Sequence, residues 1–234
     1  MVSDLHCHIL PEMDDGSVSL EESIAMLRME AEQGVACVVA TPHFYPRYDD
    51  PAHFLEKRAQ AELRLRQEMK KHCGLPTLLV GAEVYFYRGM SESDFLPQLT
   101  IGGKGCMLIE MPSAPWPEDF YRELEAIWVK RRILPIVAHI DRYIAPLKTH
   151  RIPEKLAQLP VFVQANAEFF LNRSTAAMAR RMLKAGQIQL LGSDCHNQDT
   201  RRPNLGTAVK YIERKMGSSV LSAICECERR VLDV

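Results

Sequence analysis

Apolar residues in this chain fall into short, dense runs separated by longer stretches with helical spacing. The runs cover residues 1–5, 35–41, 77–82, 106–109, 135–138, 161–165 and 188–193. Such β-branched or aliphatic runs predict strands buried on both faces. Between them, Ser19-Leu20-Glu21-Glu22 fits a capping box. The helix it opens carries Leu20, Ile24, Leu27 and Ala31 on one face and stops at Gly34. Further helices are predicted near residues 52–72, 117–132, 175–184, 205–216 and 220–226, and an aromatic, proline-broken loop over 44–51. Strands alternating with helices imply a parallel sheet. Seven strands can form an open doubly wound sheet or a closed barrel.

The polar residues at the strand ends choose between these. Six of the seven runs end in a metal-capable side chain: His6 and His8, His43, Glu83, Glu110, His139, and Asp194 with His196. The other ends in Asn166, and Asp15 adds a carboxylate after the first. In an extended segment alternate side chains share a face, so His6 and His8 point together while Cys7 points away. One such residue alone is more often structural than a ligand. Nine candidates, eight of them at strand ends, favour a closed barrel, whose strand ends converge on one mouth; an open sheet would spread them along a crevice. Mixed imidazole and carboxylate suits Mn, Zn or Fe rather than copper. Nine ligands are too many for one ion, so two or three ions with a bridging carboxylate are expected. Such clusters most often serve phosphoester hydrolysis. His53, His72 and His150 are expected on the surface.

Composition narrows the class. The 234 residues, 47 % apolar, fit one domain over 1–234. Twenty-nine basic and 30 acidic residues leave a formal charge of −1, which argues against a protein held on nucleic acid by bulk charge. No run approaches the roughly 20 apolar residues of a membrane helix. His6, His8, Glu12, Asp14 and Asp15 break the start too early for a signal peptide, so a cytoplasmic protein is expected. Seven cysteines without a CxxC pair read as reduced thiols.

These residues resemble the PHP (polymerase and histidinol phosphatase) superfamily: Asp4-Leu5-His6-Cys7-His8, Pro42-His43, Gly81-Ala82-Glu83, Ile109-Glu110, Ala138-His139 and Ser193-Asp194-Cys195-His196. Asp14-Asp15-Gly16, Ala138-His139-Ile140-Asp141-Arg142-Tyr143 and Asp194-Cys195-His196-Asn197 further resemble the bacterial tyrosine-protein phosphatases of capsule and exopolysaccharide operons (the CpsB/YwqE type). The resemblance covers nearly the whole chain. It implies a distorted (β/α)7 TIM-like barrel, the PHP fold, with a trinuclear, usually manganese-dependent site; Fe, Zn or Mg are the alternatives. It implies that His6, His8, Glu83 and Asp194 hold one ion, that Glu83 bridges to a second held with Glu110 and His139, and that Asp15, His43 and His196 hold a third. Asp15 is taken over Asp14 by its place in the motif. The implied substrate is a phosphotyrosine-bearing bacterial tyrosine kinase that controls polysaccharide synthesis. Two departures stand out: Asp141 replaces the family's usual Glu, and Cys227-Glu228 stands where an Asn-Pro is usual.

The expected reaction is attack on phosphorus by metal-activated hydroxide while the ions neutralise the phosphoryl oxygens. Arg142, with Arg201 or Arg202 as second candidates, would fork onto the phosphoryl group. A phenol leaving group, with pKa near 10, needs less help from a general acid than an alkoxide. Phe44, Tyr45 and Tyr48 are candidates to flank a substrate ring. A rival reading is Cys195 and Arg201 at the C-x5-R spacing of cysteine-dependent phosphatases. That loop has no glycine and carries Asp199, which suits a phosphate cradle poorly. The runners-up in function are a histidinol-phosphate phosphatase, a nuclease-like enzyme of the same superfamily, and a metal-binding module without turnover.

Overall fold

The computed structural model describes residues 2–147 and 151–233; His150 lies outside them. The chain opens with β1 (Val2–Cys7), α1 (Leu20–Glu32) and β2 (Val35–Ala40). Ser19 caps α1 by accepting the Glu22 N–H, as its sequence foretold. Next come β3 (His43–Phe44), α2 (Pro51–Met69), β4 (Thr77–Val80), β5 (Glu83–Tyr85) and, after three single-turn segments, β6 (Cys106–Glu110). Then follow α3 (Glu118–Arg131), β7 (Leu134–Val137), α4 (Asp141–Leu147), α5 (Arg151–Leu156), β8 (Phe162–Asn166) and α6 (Ala167–Leu171). The chain closes with α7 (Ala176–Lys184), β9 (Leu190–Gly192), α8 (Leu205–Met216) and α9 (Ser218–Asp233).

Every strand pairing is parallel. There are nine strands among the described residues, not seven, because two of the expected strands each continue, after a break, into a further short strand beyond the expected end. Pro42 has no N–H to give a ladder, and β2 resumes beyond it as β3. Gly81-Ala82 separates β4 from β5. In each case the first piece pairs in the sheet β1-β2-β4 and the second in the sheet β3-β5-β6-β7-β8-β9. The ring closes between β9 and β1. There Cys7 bridges Cys195, His8 N–H donates to the Cys195 carbonyl (2.9 Å), and Asp194 N–H donates to the His6 carbonyl (2.8 Å). Two broken and five unbroken strands thus form the expected seven-stranded barrel, distorted at its breaks.

Leu5, Val39, Leu108, Ile136, Phe162 and Leu190 come from six of these strands and pack in one cluster. Residues from strands right around the ring meet only inside it, so this cluster is the barrel interior. Val231 of α9 joins it and closes one end. A second, larger core lies between the strands and the surrounding helices, with Ile24, Leu27, Leu65, Leu124 and Ile212 as helix contributions. Burying each such side chain is worth about 1.5–3 kcal/mol. With α9 across one end, only the opposite end, where the strands finish, is free to hold a site.

Candidate metal centre

All nine predicted ligands, the eight at strand ends and Asp15, meet at that open end. Glu83, at the start of β5, is their hub and is almost fully buried. Its Oε2 lies 3.2 Å from His6 Nε2, 3.3 Å from His8 Nε2 and 3.0 Å from His43 Nδ1; its Oε1 lies 2.8 Å from His139 Nε2. Asp194 Oδ1 sits 3.6 Å from both His6 Nε2 and His8 Nε2. Glu110 stands 3.8 Å from His139 and 3.9 Å from His43. Asp15, largely exposed, places Oδ1 3.5 Å from His43 Nε2 and 3.4 Å from His196 Nε2. His8 and His43 are thus shared between groups: His8 with Asp15, His43 and His196 as well as with His6 and Asp194, and His43 with Glu83 and Glu110.

Three of the imidazoles are held by their far nitrogens. His8 Nδ1 donates to Asp14 Oδ2 (2.8 Å), His196 Nδ1 to the Asp194 carbonyl (3.0 Å), and His6 Nδ1 to Gln164 Oε1 (3.3 Å). A carbonyl or carboxylate at Nδ1 requires the proton there, which leaves the Nε2 lone pair aimed at the centre. This is how metal-binding histidines are oriented. Asp14 also accepts the His43 N–H (2.9 Å) and the Gly16 N–H (3.0 Å). Position 16 is glycine because any Cβ there would lie 2.2 Å from the His8 carbonyl oxygen. The two carboxylates of Asp14-Asp15-Gly16 therefore differ in role: Asp14 grips the back of His8, and Asp15 faces the imidazoles. Gln164 additionally accepts the His139 N–H (2.6 Å), and Asn166 donates to Asp194 Oδ2 (2.9 Å).

His6 Nε2 and His8 Nε2 lie 3.2 Å apart with Glu83 and Asp194 oxygens around them. With both Nδ1 atoms protonated, lone pairs point at lone pairs. The buried Glu83 Oε2 and His196 Nε2 have no hydrogen-bond partner. Several unsatisfied bases aimed at shared points in a dry site fit divalent cations and little else. Without a bound cation, protonated imidazoles would carry the charge that balances these carboxylates. Burial alone would raise Glu83, yet the positive charge His6 carries when protonated and the close imidazoles of His139 and His43 hold it well below the usual carboxylate range. Asp194 is likewise burdened by burial, yet His6 and Arg142 bring it to about 2. Burial and the His8 charge push His196 down to about 4. Burial and the Glu83 charge push Glu110 up. Two of the nine, His139 (φ 28°) and Asp194 (φ 55°), have left-handed backbone.

The arginines flank this centre. Arg142 and Arg201 both ion-pair with Asp194, Arg201 at 2.8 Å to Oδ1, and Arg201 reaches within 3.8 Å of Asp15. Arg202 is exposed at the same cleft of about 670 Å³, which Glu32 and Glu168 also line. The aromatic loop divides. Phe44 is fully buried against Phe54 and Phe95, so it cannot flank a substrate, and Tyr48 points to solvent. Tyr45 stacks on His43 (5.1 Å between ring centres) and neighbours Tyr85 (5.8 Å). Sequence reasoning passed over Tyr85, although its place two residues past Glu83 puts both on one strand face. It also passed over Asp14 as an orienting group and over Gln164. The last carried a signal: an amide inside a buried strand run must find partners. The Cys195 thiol is fully buried against Cys7, away from the mouth, so it has no access to a phosphoryl group. His53 is exposed; His72 is partly buried and contacts Arg28.

Comparison with known proteins agrees with this architecture. The model of the capsular polysaccharide synthesis family CpsB/CapC matches residues 2–232. Tyrosine-protein phosphatase YwqE of Bacillus subtilis is 29 % identical over 229 residues, covering 93 % of this chain and 86 % of its own length. Tyrosine-protein phosphatase CpsB of Streptococcus agalactiae is 28 % identical over 224 residues, covering 92 % and 90 %. Among solved structures, one from a study of YwqE of Bacillus subtilis and CpsB of Streptococcus pneumoniae, described as unique metal-dependent tyrosine phosphatases, superposes with a TM-score of 0.87 at 25 % identity. It covers all of this chain and 94 % of the other.

Proposed function

The chain belongs to the CpsB/CapC capsular polysaccharide synthesis family, and on that premise we propose that it is a metal-dependent protein-tyrosine phosphatase, with residues 1–234 as one catalytic unit. The observation that carries this reading is the convergence of His6, His8, His43, His139 and His196 with Asp15, Glu83, Glu110 and Asp194 at one barrel mouth. We assign His6, His8 and Asp194 to one cation, Glu110 and His139 to a second with Glu83 between them, and Asp15, His43 and His196 to a third. The ions are manganese in this reading. Divalent cations bound there would neutralise phosphoryl oxygens and activate water near neutral pH.

The protein's own groups do the rest. Gln164, Asp14 and the Asp194 carbonyl hold three imidazoles in the ligand tautomer. Arg142 and Arg201, resting on Asp194, are placed to turn onto the phosphoryl oxygens, each with a planar fork. Tyr45 and Tyr85 form an aromatic wall beside His43, against which a phenyl ring can lie. A phenol departs readily without a strong general acid, which suits a site whose acidic groups are engaged by imidazoles. The substrate is then a phosphotyrosine segment of a bacterial tyrosine kinase governing polysaccharide synthesis. No helix among the described residues is long and apolar enough to cross a membrane, and we place the enzyme in the cytoplasm.

The test is hydrolysis of a phosphotyrosine peptide, histidinol phosphate and a DNA oligonucleotide, each with added Mn²⁺ and with chelator. Turnover of the peptide that chelator abolishes is expected. Chelator-insensitive turnover, or preference for histidinol phosphate or DNA, would overturn the proposal.

A further inference from the structure

The barrel seam behind the metal centre holds two thiols that phosphate chemistry does not use. Cys7 ends β1 and Cys195 follows β9; they are direct partners across the seam, 188 positions apart in sequence. Their sulfurs lie 3.1 Å apart, and both residues are fully buried. The backbone fixes this pairing. His8 N–H and Asp194 N–H close the ladder on either side. Cys7 N–H donates to Thr41 Oγ1 (3.1 Å), and Cys195 N–H to Ser193 Oγ (3.1 Å). Neither cysteine can turn its main chain away from the other without breaking these bonds. A disulfide needs its sulfurs about 2.0 Å apart and its α-carbons on adjacent backbone. Bridge partners supply the second condition, and about 1 Å separates the pair from the first.

We propose that Cys7 and Cys195 form a dithiol modification site, which hydrogen peroxide converts to a disulfide across the β1–β9 seam. One sulfur takes an oxygen atom from peroxide and becomes a sulfenic acid, releasing water. The second thiol then attacks that sulfur, the S–S bond forms, and the oxygen leaves as a second water. Two electrons pass from the sulfurs to the peroxide oxygens, and the two thiol hydrogens end in the two waters. The bond stitches together the two strands that supply His6, His8, Asp194 and His196. It goes beyond the phosphatase reading and does not depend on it.

The experiment reads mass rather than turnover. In the folded full-length chain, accessible thiols such as Cys73 are first blocked with iodoacetamide. The protein is then treated with hydrogen peroxide, unfolded, labelled with a second alkylating reagent and digested without reductant. The expected result is loss of two hydrogen atoms in mass, one linked peptide pair containing Cys7 and Cys195, and return of both thiols with dithiothreitol. Cys195→Ser should lose the mass change. Should that variant fail to fold, the wild-type peptide map decides alone. The proposal is overturned if both cysteines still take the second label after peroxide. It is equally overturned if they gain oxygen without linking, or pair with other cysteines.

Discussion

Asp14→Asn separates the residue that grips the back of His8 from Asp15, the residue assigned to a cation. In the structure one Asp14 oxygen accepts both the His8 Nδ1–H and the His43 N–H, and the other accepts the Gly16 N–H. An asparagine of the same shape has one acceptor oxygen. Whichever way the amide is turned, its NH2 faces an N–H. If it keeps the Gly16 bond, its NH2 meets His8. His8 must then accept at Nδ1 and carry its proton on Nε2, pointing into the centre. Losing an orienting partner of this kind typically weakens metal binding 10–100-fold, about 1.4–2.8 kcal/mol at 1.4 kcal/mol per decade. The assay is calorimetric titration of the metal-free protein with Mn²⁺, with the thermal midpoint measured before and after loading. Asp15→Asn is the comparison: it should weaken the cation shared with His43 and His196 while leaving the metal-free thermal midpoint within error, because Asp15 is exposed. The reasoning fails if Asp14→Asn binds Mn²⁺ within threefold of the parent.

Other expectations follow from single contacts. A Cβ at Gly192 would lie 2.6 Å from His6 Cβ and 2.9 Å from Gln164 Nε2; Gly192→Ala should cost about 1–3 kcal/mol of stability and weaken Mn²⁺ binding, both measurable on one sample by thermal scan and titration. Burial pushes Glu228 up to about 8. The fold therefore keeps a proton that the unfolded chain has released, and stability should fall as pH rises from about 4.5 to about 8 and then level off. Glu228→Gln should flatten that fall, worth on the order of a few kcal/mol; denaturant unfolding at pH 5 and pH 9 would expose an unchanged slope if the assignment is wrong. Tyr45→Ala and Tyr85→Ala should raise KM for a phosphotyrosine peptide several-fold, from about 0.5–1.5 kcal/mol of ring contact. Phenylalanine should restore it, and an alkyl phosphate should not register the change. Arg142→Ala and Arg201→Ala should each lower kcat/KM by about tenfold or more, the worth of one charge-assisted bond; an unchanged value for both would remove them from the substrate site.

Much of this was legible in the residues because strand ends are where a parallel barrel concentrates polarity. Each apolar run marks a strand, and a histidine or carboxylate closing it stands at the mouth. The breaks at Pro42 and Gly81-Ala82 were harder to see. A run's hydrophobicity does not say when its hydrogen-bond partner changes, and β3 is only two residues long. The helices α4, α5 and α6 were missed because they are five to seven residues long, too short for a helical period to show. The last helix runs to Asp233 rather than stopping near 226, because its far turn is held by barrel contacts through Val231. Position in a motif preferred Asp15 to Asp14, but what Asp14 does is tertiary: its partners His8 and His43 are six residues behind and 29 residues ahead, and meet it only in the folded turn. Phe44 read as a candidate to flank a substrate ring because it stands in an aromatic, proline-broken stretch; in a strand its side chain takes the face opposite His43.

The left-handed backbone at His139 and Asp194 has a consequence for how this sequence can change. A residue with a Cβ in that region gives up roughly 1–2 kcal/mol, and glycine would recover it at either position. Selection for thermal robustness alone would therefore drift toward glycine at 139 and 194, and at each it would delete a side chain that faces the centre. Stability and activity are set against each other at two identifiable peptide units. Engineering for heat tolerance should leave both untouched and seek its gains on the outward faces of the helical shell, away from Arg142 and the other helix residues that line the cleft.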